Sequence, residues 1–154
     1  MKFLCLDVGT KRIGVACCDS MEIAASPHSV IPFGKNAPEL IAKLVESENV
    51  QGLVVGLPLS MDGSQRDACQ KIQEFIEGLK PFLKVPIETV DERLTTKIAE
   101  HSLIESGMRR EKRRENRDAV AAALILKTFL DIRRTHGISP FEKGDKKKGV
   151  QINE

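Results

Sequence analysis

The sequence predicts an α/β fold, with a mixed five-stranded sheet that carries helices on both faces. Three strand-like segments open the chain, at residues 2–7, 13–19 and 23–31, and consecutive strands with short connections pair as an antiparallel meander. Helical and strand-like patterns then alternate, which predicts parallel crossovers. The last helical pattern, RDAVAAALILKTFLDIRRTHG, is apolar around most of its circumference, so we expect that helix to be largely buried.

The meander begins with KFLCLD, whose continuous apolar residues predict a buried strand. The short glycine-containing turn VGTKR returns the chain into IGVACCD, and the first two strands therefore form a hairpin. The third strand contains Pro27. Because proline cannot donate to a sheet ladder, we expect this segment at an edge of the sheet or at a bulge.

Proline and capping residues mark element boundaries in the alternating part of the chain. Pro38 suits the first turn of a helix over NAPELIAKLVESEN, and Pro58 ends the buried strand QGLVVGLPL. Ser64 and Asp67 resemble a capping box for the next helix. VPIETVDERL is predicted as the fifth strand, and TTKIAEHSLIESG as a helix after it. The resulting order is β-β-β-α-β-α-β-α-α.

The composition is that of one soluble globular domain. The 154 residues are 41% hydrophobic and 30% charged, with a net charge of +2. No apolar run approaches the roughly 20 residues of a membrane span, and the N-terminus lacks the pattern of a signal peptide. We therefore expect a cytoplasmic protein with no membrane partner, a domain over residues 1–138 and a basic, disordered tail over residues 139–154.

Carboxylates stand where several of the buried elements begin or end. Asp7 ends the first strand, and Asp118 lies near the start of the long helix. Asp91 and Glu92 end the fifth strand. Buried carboxylates are costly unless they are paired or bind a metal, and a divalent cation would turn the repulsion of three converging acids into coordination. Oxygen ligands favour Mg²⁺ or Mn²⁺, and two such ions about 4 Å apart can activate water for phosphodiester hydrolysis.

Each acid also has a purely structural explanation. Asp is common in hairpin turns, which would account for Asp7. An N-cap or first-turn acid complements a helix dipole, which would account for Asp118. Asp91 and Glu92 are adjacent and would point to opposite faces of a regular strand, so at most one belongs in a metal shell. Composition and spacing leave these alternatives open.

The first turn offers groups that suit a phosphate. Gly9 and Gly14 would let a phosphate approach the backbone, although an ordinary tight turn explains them equally well. Thr10, Lys11 and Arg12 would supply a hydroxyl and two cations to the same phosphate, and the two cations are also explained as solvated side chains. The segment GLPL, at the end of the fourth strand, is expected to form the floor of the site.

A basic run, RREKRRENR, occupies residues 109–117 and carries six cations against two acids. A basic loop beside a metal site would hold a nucleic-acid backbone while the acids act on it; a solvated loop between helices is the alternative. The chain has no Trp and no Tyr. Recognition is therefore expected to depend on phosphates and shape rather than on base stacking.

Four motifs occur in the order found in one known family. LDVGTKRIGVA, VVGLPLSMDG, VDERLTT and NRDAVAAALIL resemble the motifs of the YqgF family, also called RuvX, a family of pre-16S rRNA nucleases related to Holliday junction resolvases. The match covers about residues 2–132. The resemblance implies an RNase H-like fold, metal-dependent cleavage of phosphodiesters and maturation of the 5′ end of 16S rRNA in ribosome biogenesis.

The resemblance also assigns residues. Asp7 falls on the first-strand acid of the family and Asp118 on its helix acid, while Asp91, Glu92 and Arg93 fall on its D-E-R motif. Asp7, Glu92 and Asp118 are the implied metal ligands, and Asp91 is a further catalytic candidate close behind Glu92. The expected nucleic-acid contacts come from the first turn, the D-E-R motif and the basic run, namely Gly9, Thr10, Lys11, Arg12, Arg93, Arg113, Arg114 and Arg117.

The leading hypothesis is a Mg²⁺- or Mn²⁺-dependent nuclease that acts on structured RNA, with pre-rRNA as the expected substrate. One alternative is a Holliday junction resolvase-like nuclease that acts on branched DNA, although the family's GLPL segment stands where related resolvases carry an acid. Another is a non-catalytic nucleic-acid-binding module of the same fold. A monomer and a weak homodimer are both compatible with the sequence.

Overall fold

The computed structural model describes residues 1–58, 66–92 and 117–136. The strands are β1 (Phe3–Val8), β2 (Arg12–Cys18), β3 (Ala25–Pro32), β4 (Gly52–Leu57) and β5 (Ile87–Asp91). The described helices are α1 (Ala37–Ser47), α2 (Arg66–Leu79) and α3 (Arg117–His136), with a 3₁₀ turn (Lys80–Phe82) after α2. The predicted helix over 95–107, the capping residue Ser64 and the tail over 139–154 lie outside the described residues. No described helix is both long and apolar enough for a membrane span.

The five strands form one sheet in the order β3-β2-β1-β4-β5. β1 pairs antiparallel with β2, and β2 pairs antiparallel with β3, so the predicted meander is confirmed. β4 lies parallel to β1, and β5 lies parallel to β4, as expected for strands joined by helical crossovers. In consequence β1, β4 and β5 all end at the same edge of the sheet.

Pro27 has both of the effects predicted for it. It lies in β3, which is an edge strand of the sheet. The register between β3 and β2 shifts where Val15 pairs with Ser29 and Ala16 pairs with Pro27, which leaves His28 as the extra residue of a bulge. An edge strand that contains a proline and a bulge is a poor template for pairing with another chain.

The sheet separates two hydrophobic cores, so the predicted helices on both faces are confirmed. The core on one face includes buried side chains of α1, α2 and three strands, among them Leu4, Leu6, Ile41, Val45, Leu53, Ile72 and Ile76. The core on the other face is completed by α3 and includes Phe3, Cys5, Ala16, Val54, Ala122, Ile125 and Leu126. Alternate residues of β1 enter different cores, which is why KFLCLD is continuously apolar.

Glu22 anchors the C-terminal half of α3 to the loop between β2 and β3. Its carboxylate accepts hydrogen bonds from the Arg133 guanidinium and, at 2.9 Å, from the Met1 amine. The guanidinium also lies 5.1 Å from the centre of the Phe3 ring, within the range of a cation–π interaction. Burial alone would raise the pKa of Glu22, but the two cationic partners lower it overall.

Candidate active site

Acids that are distant in sequence meet at the edge where β1, β4 and β5 end. Asp7 lies near the end of β1, opposite Gly14 of β2. Glu92 directly follows β5, and β4 lies between β5 and β1. Because parallel strands end at the same edge, the topology carries Asp7 and Glu92 to the same part of the molecule.

The carboxyl groups of Asp7 and Glu92 are hydrogen-bonded to each other. Burial, the charge of Asp7 and this hydrogen bond raise the pKa of Glu92 to about 7. Burial and the charge of Asp118 raise the pKa of Asp7, although the hydrogen bond to Glu92 opposes them. Two half-buried carboxylates that lie this close repel each other when both are ionised, and a cation between them would relieve that repulsion.

Gly56 of β4 provides the space that the Glu92 side chain occupies. A Cβ atom at position 56 would lie 2.8 Å from Glu92 Oε1 and 2.7 Å from Ile125 Cδ1. Glu92 therefore packs over a backbone position that has no side chain, next to the acid of the other strand. Gly56 of the GLPL segment thus lies directly beneath Glu92, and the role of the segment as the floor of the site stays a prediction.

Asp118 is the third acid at this edge and lies in the first turn of α3. Its charge contributes to the raised pKa of Asp7, so the two carboxyl groups are within electrostatic reach. Asp118 Oδ2 lies 2.9 Å from Arg12 Nε, at the start of β2. The residue is thus a first-turn acid, as one sequence interpretation held, and it is also within electrostatic reach of the half-buried Asp7.

Gly14 of β2 allows α3 to rest directly on the sheet. A Cβ atom at this position would lie 1.9 Å from the main-chain oxygen of Asp118 and 2.8 Å from the nitrogen of Ala119. No side chain fits there. The expectation that Gly14 lets a phosphate approach the backbone is wrong, because the main chain of Asp118 fills that space.

The turn between β1 and β2 fixes the backbone of Arg12. The Gly9 amide donates a hydrogen bond of 2.8 Å to the Arg12 carbonyl, and a Cβ atom at Gly9 would lie 2.8 Å from the same oxygen. The tight turn therefore accounts for this glycine. Gly9, Thr10, Lys11 and Arg12 are all exposed, and their contacts with nucleic acid stay a prediction.

Asp91 and Glu92 occupy different positions relative to the sheet. Asp91 is the last residue of β5, where it pairs with Leu57 of β4. Alternation along the strand directs adjacent side chains to opposite faces. Of these two neighbours, Glu92 is the one that is hydrogen-bonded to Asp7, and the catalytic role of Asp91 stays a prediction.

The basic residues are described only in part. Arg117 begins α3 and is exposed beside Asp118, so it lies at the same edge as the acids. Arg93, Arg113 and Arg114 lie outside the described residues. Their predicted contacts with nucleic acid stay predictions.

The chemistry of the donor set suits a divalent metal, although Asp118 is paired with Arg12 in the structure. Within the described ranges, no three His, Cys, Asp or Glu side chains are arranged to hold an ion, and Asp118 is directed at Arg12 instead. Asp7 and Glu92 supply carboxylate oxygens that lie within interaction distance of each other, and a cation between them would offset their repulsion. If Asp118 turned away from Arg12, the site would have three hard oxygen donors of the kind that Mg²⁺ and Mn²⁺ prefer.

The sheet order and the helices on both faces of the sheet define an α/β protein of the RNase H-like fold. The fold is similar to that of RuvC from Thermus thermophilus in complex with a Holliday junction, with a TM-score of 0.59 and 12% identity over 87% of this chain and 96% of that one. It is also similar to the fowlpox virus Holliday junction resolvase, with a TM-score of 0.53 and 12% identity over 86% of this chain and 99% of that one. The predicted fold is confirmed.

The chain belongs to the RuvX family, described as Holliday junction resolvase, whose family model matches residues 1–132. A relative from Natranaerobius thermophilus named "Putative pre-16S rRNA nuclease" is 39% identical over 133 residues, covering 85% of this chain and 94% of the relative. A relative of the same name from a Roseiflexus species is 42% identical over 135 residues, covering 86% of this chain and 96% of the relative. The family resemblance read from the four motifs is confirmed.

Sequence reasoning did not find the ion pair between Arg12 and Asp118. It assigned Arg12 to nucleic acid and Asp118 to a metal, and no local pattern connects the start of β2 with the start of α3. A partial signal was present. Arg12 and Gly14 lie on the same face of β2, and a glycine on a buried strand face often marks a close approach of another backbone.

Proposed function

We propose that this protein is a Mg²⁺- or Mn²⁺-dependent nuclease that processes the 5′ end of pre-16S rRNA in the cytoplasm. The observation that carries the proposal is the half-buried, interacting carboxyl pair of Asp7 and Glu92 at the end of the sheet, with Asp118 within electrostatic reach. Half-buried carboxyl groups that lie close together repel each other, and a divalent cation at this edge would turn that repulsion into coordination. The substrate class follows from the family and from relatives named as pre-16S rRNA nucleases.

Each residue has a distinct task in this proposal. A divalent ion bound by the three carboxylates would supply an activated water and would neutralise charge on the scissile phosphodiester. Asp7 and Glu92 hold the ion at the end of the sheet, and Asp118 adds a third carboxylate from α3. Lys11 and Arg12, exposed on the first turn, bind the nucleic-acid backbone and fix its position relative to the acids.

The main test is cleavage by the Asp7→Asn variant. This substitution preserves size and removes the negative charge of one ligand, so the fold should survive. We expect Mn²⁺-dependent cleavage of an RNA carrying the 5′ leader of pre-16S rRNA to fall by about 100-fold or more, since loss of even an outer-shell partner costs about 10- to 100-fold. Asp131→Asn is the matched control, because Asp131 is an exposed acid on α3. Cleavage by Asp7→Asn at the wild-type rate would contradict the proposal.

Branched DNA is the second candidate substrate. It is favoured by the description of the family as Holliday junction resolvase and by the fold shared with RuvC bound to a junction. One preparation should be offered the RNA leader and a four-way DNA junction, each with and without Mn²⁺. Cleavage of RNA alone supports the first proposal, and cleavage of the junction alone supports the second. Binding of either without any cleavage, across several divalent metals, would support a non-catalytic binding module.

A further inference from the structure

The ion pair between Arg12 and Asp118 occupies two groups that the proposed nuclease needs elsewhere. Arg12 Nε lies 2.9 Å from Asp118 Oδ2, and the two side chains are 63% and 30% exposed. The proposed metal site requires the carboxylate, and the proposed contact with nucleic acid requires the guanidinium. Arg12 and the proposed divalent ion therefore compete for the Asp118 carboxylate, and Asp118 and a phosphate compete for the Arg12 guanidinium.

The backbones on both sides of this pair are fixed. The main chain of Asp118 rests against Gly14, where a Cβ atom would lie 1.9 Å from the Asp118 oxygen. The main chain of Arg12 is held by the turn, through the hydrogen bond of 2.8 Å from the Gly9 amide. A change of partner must therefore take place by rotation of the side chains, without movement of α3 or of the sheet.

We propose that Asp118 exchanges between two partners: Arg12 in the metal-free protein, and the divalent ion once a phosphate of the nucleic acid has taken Arg12. Arg12 is thus a positioning residue that couples metal binding to substrate binding. This inference rests on the proposed function, because it assumes that the acids at the edge of the sheet bind a metal.

The chemistry of the groups favours this exchange. A guanidinium binds phosphate oxygens through paired, charge-assisted hydrogen bonds, whereas an exposed ion pair is weak and is screened by salt. When a phosphate replaces Asp118 at Arg12, the carboxylate is left beside the Asp7–Glu92 pair with no cation of its own. Repulsion among the three acids then favours a divalent ion.

The test measures the dissociation constant for Mn²⁺, from the electron paramagnetic resonance signal of the free ion, and needs no turnover. Arg12→Met removes the partner of Asp118, and Lys11→Met removes an equal charge one residue away. We expect Arg12→Met to bind Mn²⁺ about threefold more tightly than Lys11→Met, as expected when a competing exposed ion pair is removed. The gain should disappear in the Arg12→Met/Asp118→Asn double variant. Thermal melting verifies that each variant is folded.

A second measurement uses sulfate as the phosphate mimic. Replacing chloride by sulfate at equal ionic strength should tighten Mn²⁺ binding by the wild type about twofold, because sulfate competes with Asp118 for Arg12. Replacing chloride by sulfate should leave the Mn²⁺ affinity of Arg12→Met unchanged. Asp118→Asn, which keeps Arg12, should also lose the response, and it provides an independent check if Arg12→Met does not fold.

The outcomes separate this inference from the function on which it rests. If all proteins bind Mn²⁺ and Arg12→Met matches Lys11→Met, the ion pair merely stabilises α3 and the inference is overturned. A sulfate response that persists in Asp118→Asn also overturns it, because the response would then not pass through that carboxylate. If the wild type binds no Mn²⁺ at millimolar concentrations, the metal site fails and the proposed function fails with it.

Discussion

Glu88 is a buried acid whose ionisation should oppose folding. It lies on β5 opposite Val54 and is only 5% exposed. Its Oε1 accepts a hydrogen bond of 3.1 Å from the Thr89 amide, while Oε2 has no hydrogen-bond partner among the residues that the structure describes. Burial raises the pKa of Glu88 to about 7, and the Thr89 amide offsets this only in part. We therefore expect Glu88→Gln to stabilise the protein at alkaline pH.

The pKa of Glu88 sets the size and the pH range of this effect. The ordinary pKa of the group is 4.5 and the folded value is about 7, so between these values the folded state binds more protons than the unfolded state. The free energy of unfolding therefore falls as the pH rises through this window. At about 1.4 kcal/mol per pKa unit, the loss reaches about 3 kcal/mol above pH 7. Because Gln does not titrate, the difference in free energy of unfolding between Glu88→Gln and the wild type grows from near zero at low pH to this value above pH 7.

Urea denaturation followed by circular dichroism, at several pH values from about 5 to 8, gives the free energy of unfolding for each protein. Glu74→Gln is the matched control, because it makes the same substitution at an exposed position of α2. The difference between Glu88→Gln and wild type should rise with pH, while that for Glu74→Gln should stay flat. A flat difference for Glu88→Gln as well would refute the reasoning from burial.

Two further substitutions test the packing at the site, and a third tests the ionic contact that anchors the C-terminal half of α3. Gly14→Ala places a methyl group against the main chain of Asp118, so we expect a loss of about 3 kcal/mol in the free energy of unfolding. An unchanged midpoint of urea denaturation would contradict this expectation. In Gly56→Ala the added methyl group would contact the ends of flexible side chains, including that of Glu92. We therefore expect the Mn²⁺ affinity to fall about tenfold while the melting temperature changes little. An Mn²⁺ affinity equal to that of the wild type would show that Glu92 is not a ligand. Glu22→Gln removes a carboxylate with a lowered pKa. We expect the free energy of unfolding to fall by about 1 kcal/mol near pH 7, and this loss should fade as the pH falls through the folded pKa of Glu22. A loss that is constant with pH would exclude the ionic contribution.

The antiparallel meander and the parallel crossovers were predictable because local rules determine them. Pro27 cannot donate to a ladder, which restricted β3 to an edge or a bulge, and the structure shows both. The alternation of strand and helix patterns indicated the parallel pairing of β4 and β5. These signals act within a few residues, and sequence reasoning resolves them well. The four ordered motifs then specified the family, which local physics alone did not.

The details of the site depend on contacts that no local rule contains. Because Asp91 and Glu92 are adjacent, only one of their side chains was expected to lie next to Asp7, and the alternation did not decide which. In the structure it is Glu92, whose side chain packs over Gly56 on a different strand. The partner of Arg12 on α3 has no local sequence signal. Gly14 was recognised as an unusual position, but the sequence does not reveal that a helix backbone passes directly over it.

The position of Asp118 on the last described helix has a consequence for biosynthesis. Asp7 is among the first residues to be translated, yet the carboxylate that completes the proposed metal site arrives only after almost the whole domain has been made. An incomplete polypeptide on the ribosome would therefore hold Asp7 and Glu92 without their third partner. Under the proposed function, metal-dependent cleavage would therefore begin only after α3 has packed against the sheet.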